Sequence, residues 1–200
     1  MPRIGVGRHG ATAWSLAGRY QGRADPPLCA QGEVEAACLG KQAARQGVDR
    51  VVSSPLRRAR QTAASVAAYG SLSVPGVDDG LLEVDFGLWE GKTQAEIRAI
   101  WPAQLRDWKS APERFTFPGG ESLADAQRRV AACLACWRAD EAGGAILLVT
   151  HLTWIRLAVL SLSGRPLACF RELQVATGSL LWLDGPAPLD IAAPISQREA

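Results

Sequence analysis

Ile4-Gly5-Val6-Gly7-Arg8-His9-Gly10 is a short apolar run that ends on an arginine, a histidine and a glycine. Ala145-Ile146-Leu147-Leu148-Val149-Thr150-His151 repeats the arrangement far along the chain, and these two stretches hold its only 2 histidines. A short apolar run bounded by glycine or polar residues reads as a buried strand. In an α/β sheet, ligands sit just beyond the carboxyl ends of the strands. The pattern therefore predicts two imidazoles sharing one cleft. Near neutral pH an imidazole can be nucleophile, proton carrier or metal ligand, so the neighbouring residues must decide its role.

Working outward, strand and helix signals alternate. Residues 3–7 read as a strand, about 30–46 as a helix ended by Gly47, and 50–53 as a strand. Ser54-Pro55 has the form of a helix start, with the serine as cap and the proline in the first helical position, and the helix should run to about Tyr69. A short extended piece at 73–77, an irregular stretch at 81–91 and helical segments over 92–106 broken at Pro102 follow. Residues 121–139 form the best amphipathic helix, 145–149 the best strand, 154–162 a further helix and 178–183 a last strand. This alternation predicts an α/β fold, a three-layer α/β/α arrangement around a mostly parallel central sheet with right-handed crossovers. Residues 1–185 are expected to form one domain, with about 92–119 as a lid-like insert over the pocket. The Pro- and Ala-rich tail at 186–200 carries little pattern and is expected to be loose.

Composition fits this reading. The 200 residues are 48% hydrophobic, enough to enclose one sizeable core. A formal charge of +2 without a long basic run argues against nucleic-acid binding, so any anion specificity must be local. The apolar runs are too short for a signal peptide or a membrane span, and a soluble cytoplasmic protein is expected. The 5 cysteines, odd in number and irregular in spacing, point to reduced thiols. Cys133 and Cys136 form a lone C-x-x-C, but Leu123, Ala126, Val130, Cys133, Leu134 and Trp137 trace one apolar helical face, which favours core or helix-edge roles for these thiols over metal binding.

Loops expected at the strand ends carry unusual polar content: Arg8 to Thr12, Arg57 to Arg60, Glu83 with Asp85, and Thr150-His151. Arginines beside both histidines disfavour a metal cation and favour an oxyanion, which a planar guanidinium grips in bidentate fashion. Phosphate is the natural candidate, and the helix beginning near Ser54-Pro55 would aim its first N–H groups at the same anion.

The segments Arg8-His9-Gly10, Ser53 through Ala63 (SSPLRRARQTA), Leu82 through Gly91 (LEVDFGLWEG), Pro118-Gly119-Gly120-Glu121-Ser122 and Val149-Thr150-His151 resemble the histidine phosphatase superfamily, also called phosphoglycerate-mutase-like. Their order and spacing are similar to those of the short bacterial members. The resemblance implies a phosphoglycerate-mutase-like fold and a metal-independent phosphomonoesterase that needs no cofactor and acts on a small phosphorylated metabolite. His9 would carry the phosphoryl group as phosphohistidine, while Arg8, Arg58 and His151 hold the equatorial oxygens. Glu83 would serve as general acid and then base, with Asp85 as its competitor. Partial burial beside Phe86 and Trp89 would raise the pKa of Glu83, and the nearby arginines would oppose this.

Further contacts to phosphate or substrate are expected from Thr12, Ser15, Gln21, Gly22, Arg60 and Leu152, with Arg19 and Arg23 either substrate contacts or surface charge. Two positions depart from the family pattern. Trp14-Ser15 stands where the family commonly has Trp-Asn, so a hydroxyl replaces an amide donor. Leu152-Thr153-Trp154 follows the second histidine where the family commonly has Gly-Gly or Gly-Asn, which would narrow the pocket or offer a stacking face. Phosphoglycerate mutase, ribazole-phosphate phosphatase and a non-catalytic phosphate-binding protein stay open as alternatives. Trp101, Trp108, Phe115 and Phe117 are expected chiefly to pack the lid helices.

Overall fold

A computed structural model of the chain describes residues 1–184. Its elements in chain order are β1 (Arg3–Arg8), α1 (Ala13–Leu16), α2 (Ala30–Arg45), β2 (Arg50–Ser53), α3 (Arg57–Gly70), β3 (Gly76–Val77), α4 (Gln94–Ile100), α5 (Pro102–Ser110), α6 (Leu123–Arg138), β4 (Ala145–Thr150), α7 (Leu152–Ser163) and β5 (Leu180–Trp182). Short 3-10 turns lie between them. The expected tail falls outside the described residues.

The sheet has 5 strands in the order β3-β2-β4-β1-β5. Its first four strands run parallel, and β5 joins β1 antiparallel. Central β4 is buried along its whole length, as a parallel strand covered on both faces must be. Its alternate residues divide the core. Leu147 and Val149 face Leu39 and Ala43 of α2 and Ala59, Ala63 and Val66 of α3. Ile146 and Leu148 face the larger cluster, where Val130 and Leu134 of α6 and Ile155, Leu157 and Ala158 of α7 meet a knot of aromatic rings. The arrangement is the three-layer α/β/α fold read from the alternation.

Inside that knot Trp89, Trp108, Phe115 and Phe117 stack with centroid separations of 4.8–5.6 Å. Trp108, Phe115 and Phe117 are buried, while Trp101 packs on the cluster's edge. Cys133 is buried on α6 and Cys136 is exposed. Burial, followed by the neighbouring Asp78, pushes the Cys133 thiol up to about 12. Among the described residues, no helix is long and apolar enough to cross a membrane.

The expected helix start at Ser54-Pro55 is displaced. The helix begins at Arg57, with Leu56 in the cap position and no side chain capping it. Asp25 Oδ1 accepts the Arg57 N–H at 2.6 Å, so an acidic side chain takes the helix-end donor that was expected to face the anion. Ser54 has another partner, described below.

Candidate active site

Because β1, β2 and β4 are parallel neighbours, their carboxyl ends open onto one edge of the sheet. His9 follows β1, Ser54 follows β2 and His151 follows β4, so residues far apart in sequence converge. The two imidazole centroids lie 5.1 Å apart. The backbone fixes this register, since His9 N–H donates to Thr150 O at 3.0 Å. Gly10 sits where the loop crosses α2. A Cβ there would lie 2.2 Å from Gly32 O, which only a glycine avoids.

The state of His9 follows from one contact. Its Nδ1 lies 2.7 Å from Gly10 O, and a carbonyl oxygen can only accept, so Nδ1 carries the proton and Nε2 carries the lone pair. Burial, followed by the positive charges of Arg58 and Arg8, holds the ring well below the usual histidine pKa and keeps it neutral. His151 is fully buried, and its pKa is likewise depressed, first by burial and then by Arg58. Its Nε2 pairs with Ser54 Oγ at 2.8 Å, while its Nδ1 is buried without a partner among the described residues.

Arg58 has no exposed surface, an uncommon state for a guanidinium, and backbone carbonyls hold it. Its terminal nitrogens donate to Ala24 O at 2.7 Å and Gly22 O at 2.8 Å. Those carbonyls belong to a turn in which Gly22 takes φ +52°. Glu90 clamps the turn, accepting from Arg23 N and Ala24 N, each at 2.7 Å. Sequence reading gave Glu90 no role, and only its motif position pointed to it. Arg8 donates to Val175 O, and burial brings its pKa down to about 10. The Nε atoms of Arg8 and Arg58 are buried without partners among the described residues.

Glu83 reaches the site from the loop before α4. Its Oε2 accepts from Thr153 N at 3.2 Å, and its Oε1 accepts from Val84 N at 2.9 Å and Trp154 N at 3.3 Å. The carboxyl group thus sits on the amino-terminal turn of α7, where the helix dipole favours an acidic side chain. A cavity of about 420 Å³ opens beside it, with Arg8, His9, Arg58 and Glu83 in its wall.

The remaining expected residues divide. Ser15, Gln21, Gly22 and Leu152 line the cavity, as does Arg19, which also pairs with Glu96 at 2.9 Å. Thr12 is buried behind it, donating to Gln21 Oε1 at 2.8 Å. Ser15 Oγ donates to Thr12 O at 3.0 Å and accepts from Thr12 N at 2.9 Å, so its hydroxyl hydrogen is spent on the cap of α1. Asp85 turns to Gly87 N at 2.8 Å and does not line the cavity. Trp154 packs away from it, its indole donating to Gly80 O at 2.8 Å. Arg60 is exposed on α3 and lines a separate depression with Arg57 and Gln61. Arg23 pairs with Glu121 at 3.8 Å. Arg156, Phe170, Arg171 and Gln174 also line the cavity, as do Tyr20, Phe86 and Trp108, and the first four were not singled out from sequence.

A neutral imidazole, converging guanidinium groups and a nearby carboxyl group are groups that can carry out phosphoryl transfer. The chain belongs to the histidine phosphatase superfamily (branch 1), whose family model matches residues 4–186. Phosphoserine phosphatase 1 of Hydrogenobacter thermophilus is 33% identical over 170 residues, which are 85% of this chain and 80% of that protein. Among solved structures, a mycobacterial glucosyl-3-phosphoglycerate phosphatase is similar with a TM-score of 0.80 at 29% identity, covering 90% of each chain. A putative alpha-ribazole-5'-P phosphatase of Escherichia coli K-12 gives a TM-score of 0.81 at 26% identity, covering 90% of this chain and 88% of that one.

Proposed function

We propose that this protein is a phosphomonoesterase that hydrolyses a small phosphorylated metabolite through a phosphohistidine on His9. The observation that carries the reading is the fixed tautomer of His9: a buried neutral ring whose Nδ1 is bound to Gly10 O and whose Nε2 keeps its lone pair beside two arginines. The named activities of the relatives and of the similar structures support the same class.

In the first step Nε2 attacks phosphorus, a P–N bond forms and the P–O bond to the leaving group breaks. The leaving oxygen takes a proton from the Glu83 carboxyl group. Arg8, Arg58 and His151 hold the equatorial oxygens, where donors fixed in advance stabilise developing charge. Gly10 O keeps its contact with Nδ1–H as the ring becomes cationic. In the second step the Glu83 carboxylate removes a proton from water, the oxygen attacks phosphorus, and the P–N bond breaks to release inorganic phosphate. Five unpaired thiols fit a reducing, cytoplasmic setting for the reaction.

The test is hydrolysis of an aryl phosphate and of a simple alkyl phosphate in excess EDTA. The parent protein should turn over both, and His9→Ala should turn over neither. Glu83→Ala should lose about 10²- to 10⁴-fold on the alkyl ester but far less on formation of phosphoenzyme from the aryl ester, whose leaving group needs no proton. Acid-labile phosphate trapped on the parent and absent from His9→Ala identifies the intermediate. Failure to hydrolyse either ester, with phosphate still protecting the fold against heat, would replace this reading with that of a phosphate-binding protein.

A further inference from the structure

Phosphoryl transfer to His9 turns its ring into a cation, and the surroundings of the ring oppose that. Burial, followed by Arg58 and Arg8, works against a positive charge there. Nδ1–H donates to Gly10 O at 2.7 Å, and a peptide carbonyl is a neutral acceptor. The charge that offsets the ring lies on the far side of that peptide. Gly10 O belongs to the same peptide unit as Ala11 N–H, and this N–H donates to Glu35 Oε2 on α2 at 2.8 Å.

Carboxylate, peptide and imidazole therefore form one continuous hydrogen-bonded chain, and its geometry is held from several directions. Gly10 N–H donates to Thr62 Oγ1 at 3.1 Å, and Thr62 Oγ1 donates to Arg58 O at 2.8 Å. Ala11 O accepts from Cys29 N–H, at the start of α2, at 3.0 Å. Ala11 itself has no exposed surface. Gly178 donates its N–H to Arg8 O at 3.1 Å and leaves room for Glu35, since a Cβ on Gly178 would lie 2.7 Å from Glu35 Cβ.

Helix capping does not account for Glu35. It lies past the first turn of α2, where the acidic residue is Glu33 and where the helix dipole acts. Glu35 is half-buried, and a carboxylate so placed loses solvation that a neutral acceptor would not need. Its charge reaches the site: burial lowers the pKa of Arg8, and of the groups that oppose this Glu35 follows Glu83. Hydrogen bonds in series polarise one another where water is excluded. A carboxylate on the N–H side of a peptide pushes electron density toward the carbonyl oxygen, which then accepts more strongly from a cationic Nδ1–H.

We propose that Glu35 is a positioning residue for the nucleophile: acting through the Gly10–Ala11 peptide, its negative charge keeps the proton on His9 Nδ1 and stabilises the cationic phosphohistidine. The proposal rests on the phosphatase reading for that intermediate, but not for the hydrogen-bonded chain. As Nε2 gives its lone pair to the new P–N bond, the leaving oxygen departs with the P–O pair. The proton stays on Nδ1, and the ring charge faces Glu35 across the peptide. When water displaces the ring, the P–N pair returns to Nε2 and the charge is lost. Glu35 therefore speeds formation of the phosphoenzyme and slows its breakdown.

Glu35→Gln keeps an acceptor for Ala11 N–H and removes the charge, while Glu33→Gln removes an exposed charge from the same helix away from the peptide. Rapid-quench kinetics with an aryl phosphate read formation and breakdown of phosphoenzyme separately, as first-order rate constants that do not depend on the content of folded protein. Proton NMR of the free proteins reads the His9 Nδ1–H resonance, assigned by its loss in His9→Asn. Glu35→Gln should form phosphoenzyme about three- to tenfold more slowly and break it down faster, the difference between a charged and a neutral hydrogen-bond partner. Its Nδ1–H resonance should move upfield, and Glu33→Gln should match the parent in both measurements.

Unchanged rate constants in Glu35→Gln overturn the proposal, and so does a slowing of both steps together, which is what a structural defect produces. Weaker binding of inorganic phosphate with the Nδ1–H resonance unmoved would mean that Glu35 acts through Arg8, and overturns it as well. If the parent forms no phosphoenzyme, the phosphatase reading falls, and the Nδ1–H resonance alone decides the chain: an upfield shift in Glu35→Gln retains it and an unmoved signal removes it.

Discussion

The chain's only 2 histidines are both buried and both held neutral, which makes acid stability a direct probe of the site. In the unfolded chain each ring titrates near about pH 6.5, whereas in the folded protein burial and the arginines depress both values. Below the unfolded value the unfolded state therefore binds more protons, and stability must fall as pH falls. For a ring that stays neutral when folded, lowering the pH from about 7.5 to about 5.5 costs about 1.4 kcal/mol, so the two rings together cost about 2.7 kcal/mol. Glu96, Asp140 and Glu172 have pKa values lowered by their hydrogen bonds and titrate below this window. Urea unfolding of the parent, His9→Asn and His151→Asn at the two pH values reads the effect. Each variant should lose about half of the pH-dependent term whatever its absolute stability. A fall in the parent of less than about 0.5 kcal/mol, or an equal fall in all three proteins, would refute the buried neutral pair and with it the state assigned to the nucleophile.

Four further outcomes follow from local geometry. Arg58→Lys retains the charge but cannot span Ala24 O and Gly22 O while facing the phosphoryl oxygens, so kcat/KM should drop about 10²-fold or more in steady-state assays. Gly32→Ala puts a Cβ 1.9 Å from Ala11 O, backbone against backbone, and should lower both the melting temperature and turnover. Gly47→Ala, at φ +73° with nothing nearby, should cost only about 1–2 kcal/mol in urea unfolding and leave turnover intact. Ser54→Ala removes the partner of His151 Nε2, and the unpaired buried nitrogen should cost about 1–3 kcal/mol in urea unfolding, with a loss of phosphate affinity measured by titration.

The sheet and its main helices were legible because their signals are local. The apolar run Ala145–Val149 fits a strand covered on both faces, and Gly47 follows the end of α2 as expected, whereas α3 runs through Gly70 and is closed by Ser71 in the left-handed region. Ser54-Pro55 misled because a serine before a proline has the local form of a cap. The hydroxyl instead serves His151, a residue 97 positions away that no helix rule sees. Ser15, expected to contact the ligand, lines the cavity and also closes a capping box with Thr12, a local contact that its place in the motif does not reveal.

The difference between what was read and what was missed has one physical origin. Parallel strands force their carboxyl ends together, so any polar residue just past such a strand is placed by topology alone, and His9 and His151 pair on the strength of the strand pattern. Arg156 and Arg171 are placed by side-chain packing. One lies on a helix face a turn beyond the cap, and the other on a 3-10 turn whose position depends on Phe170 meeting Trp108 at 5.7 Å. No spacing in the chain encodes that contact. Groups carried on strand ends are therefore readable from sequence, while the rest of the cavity wall emerges only once the core aromatics have packed.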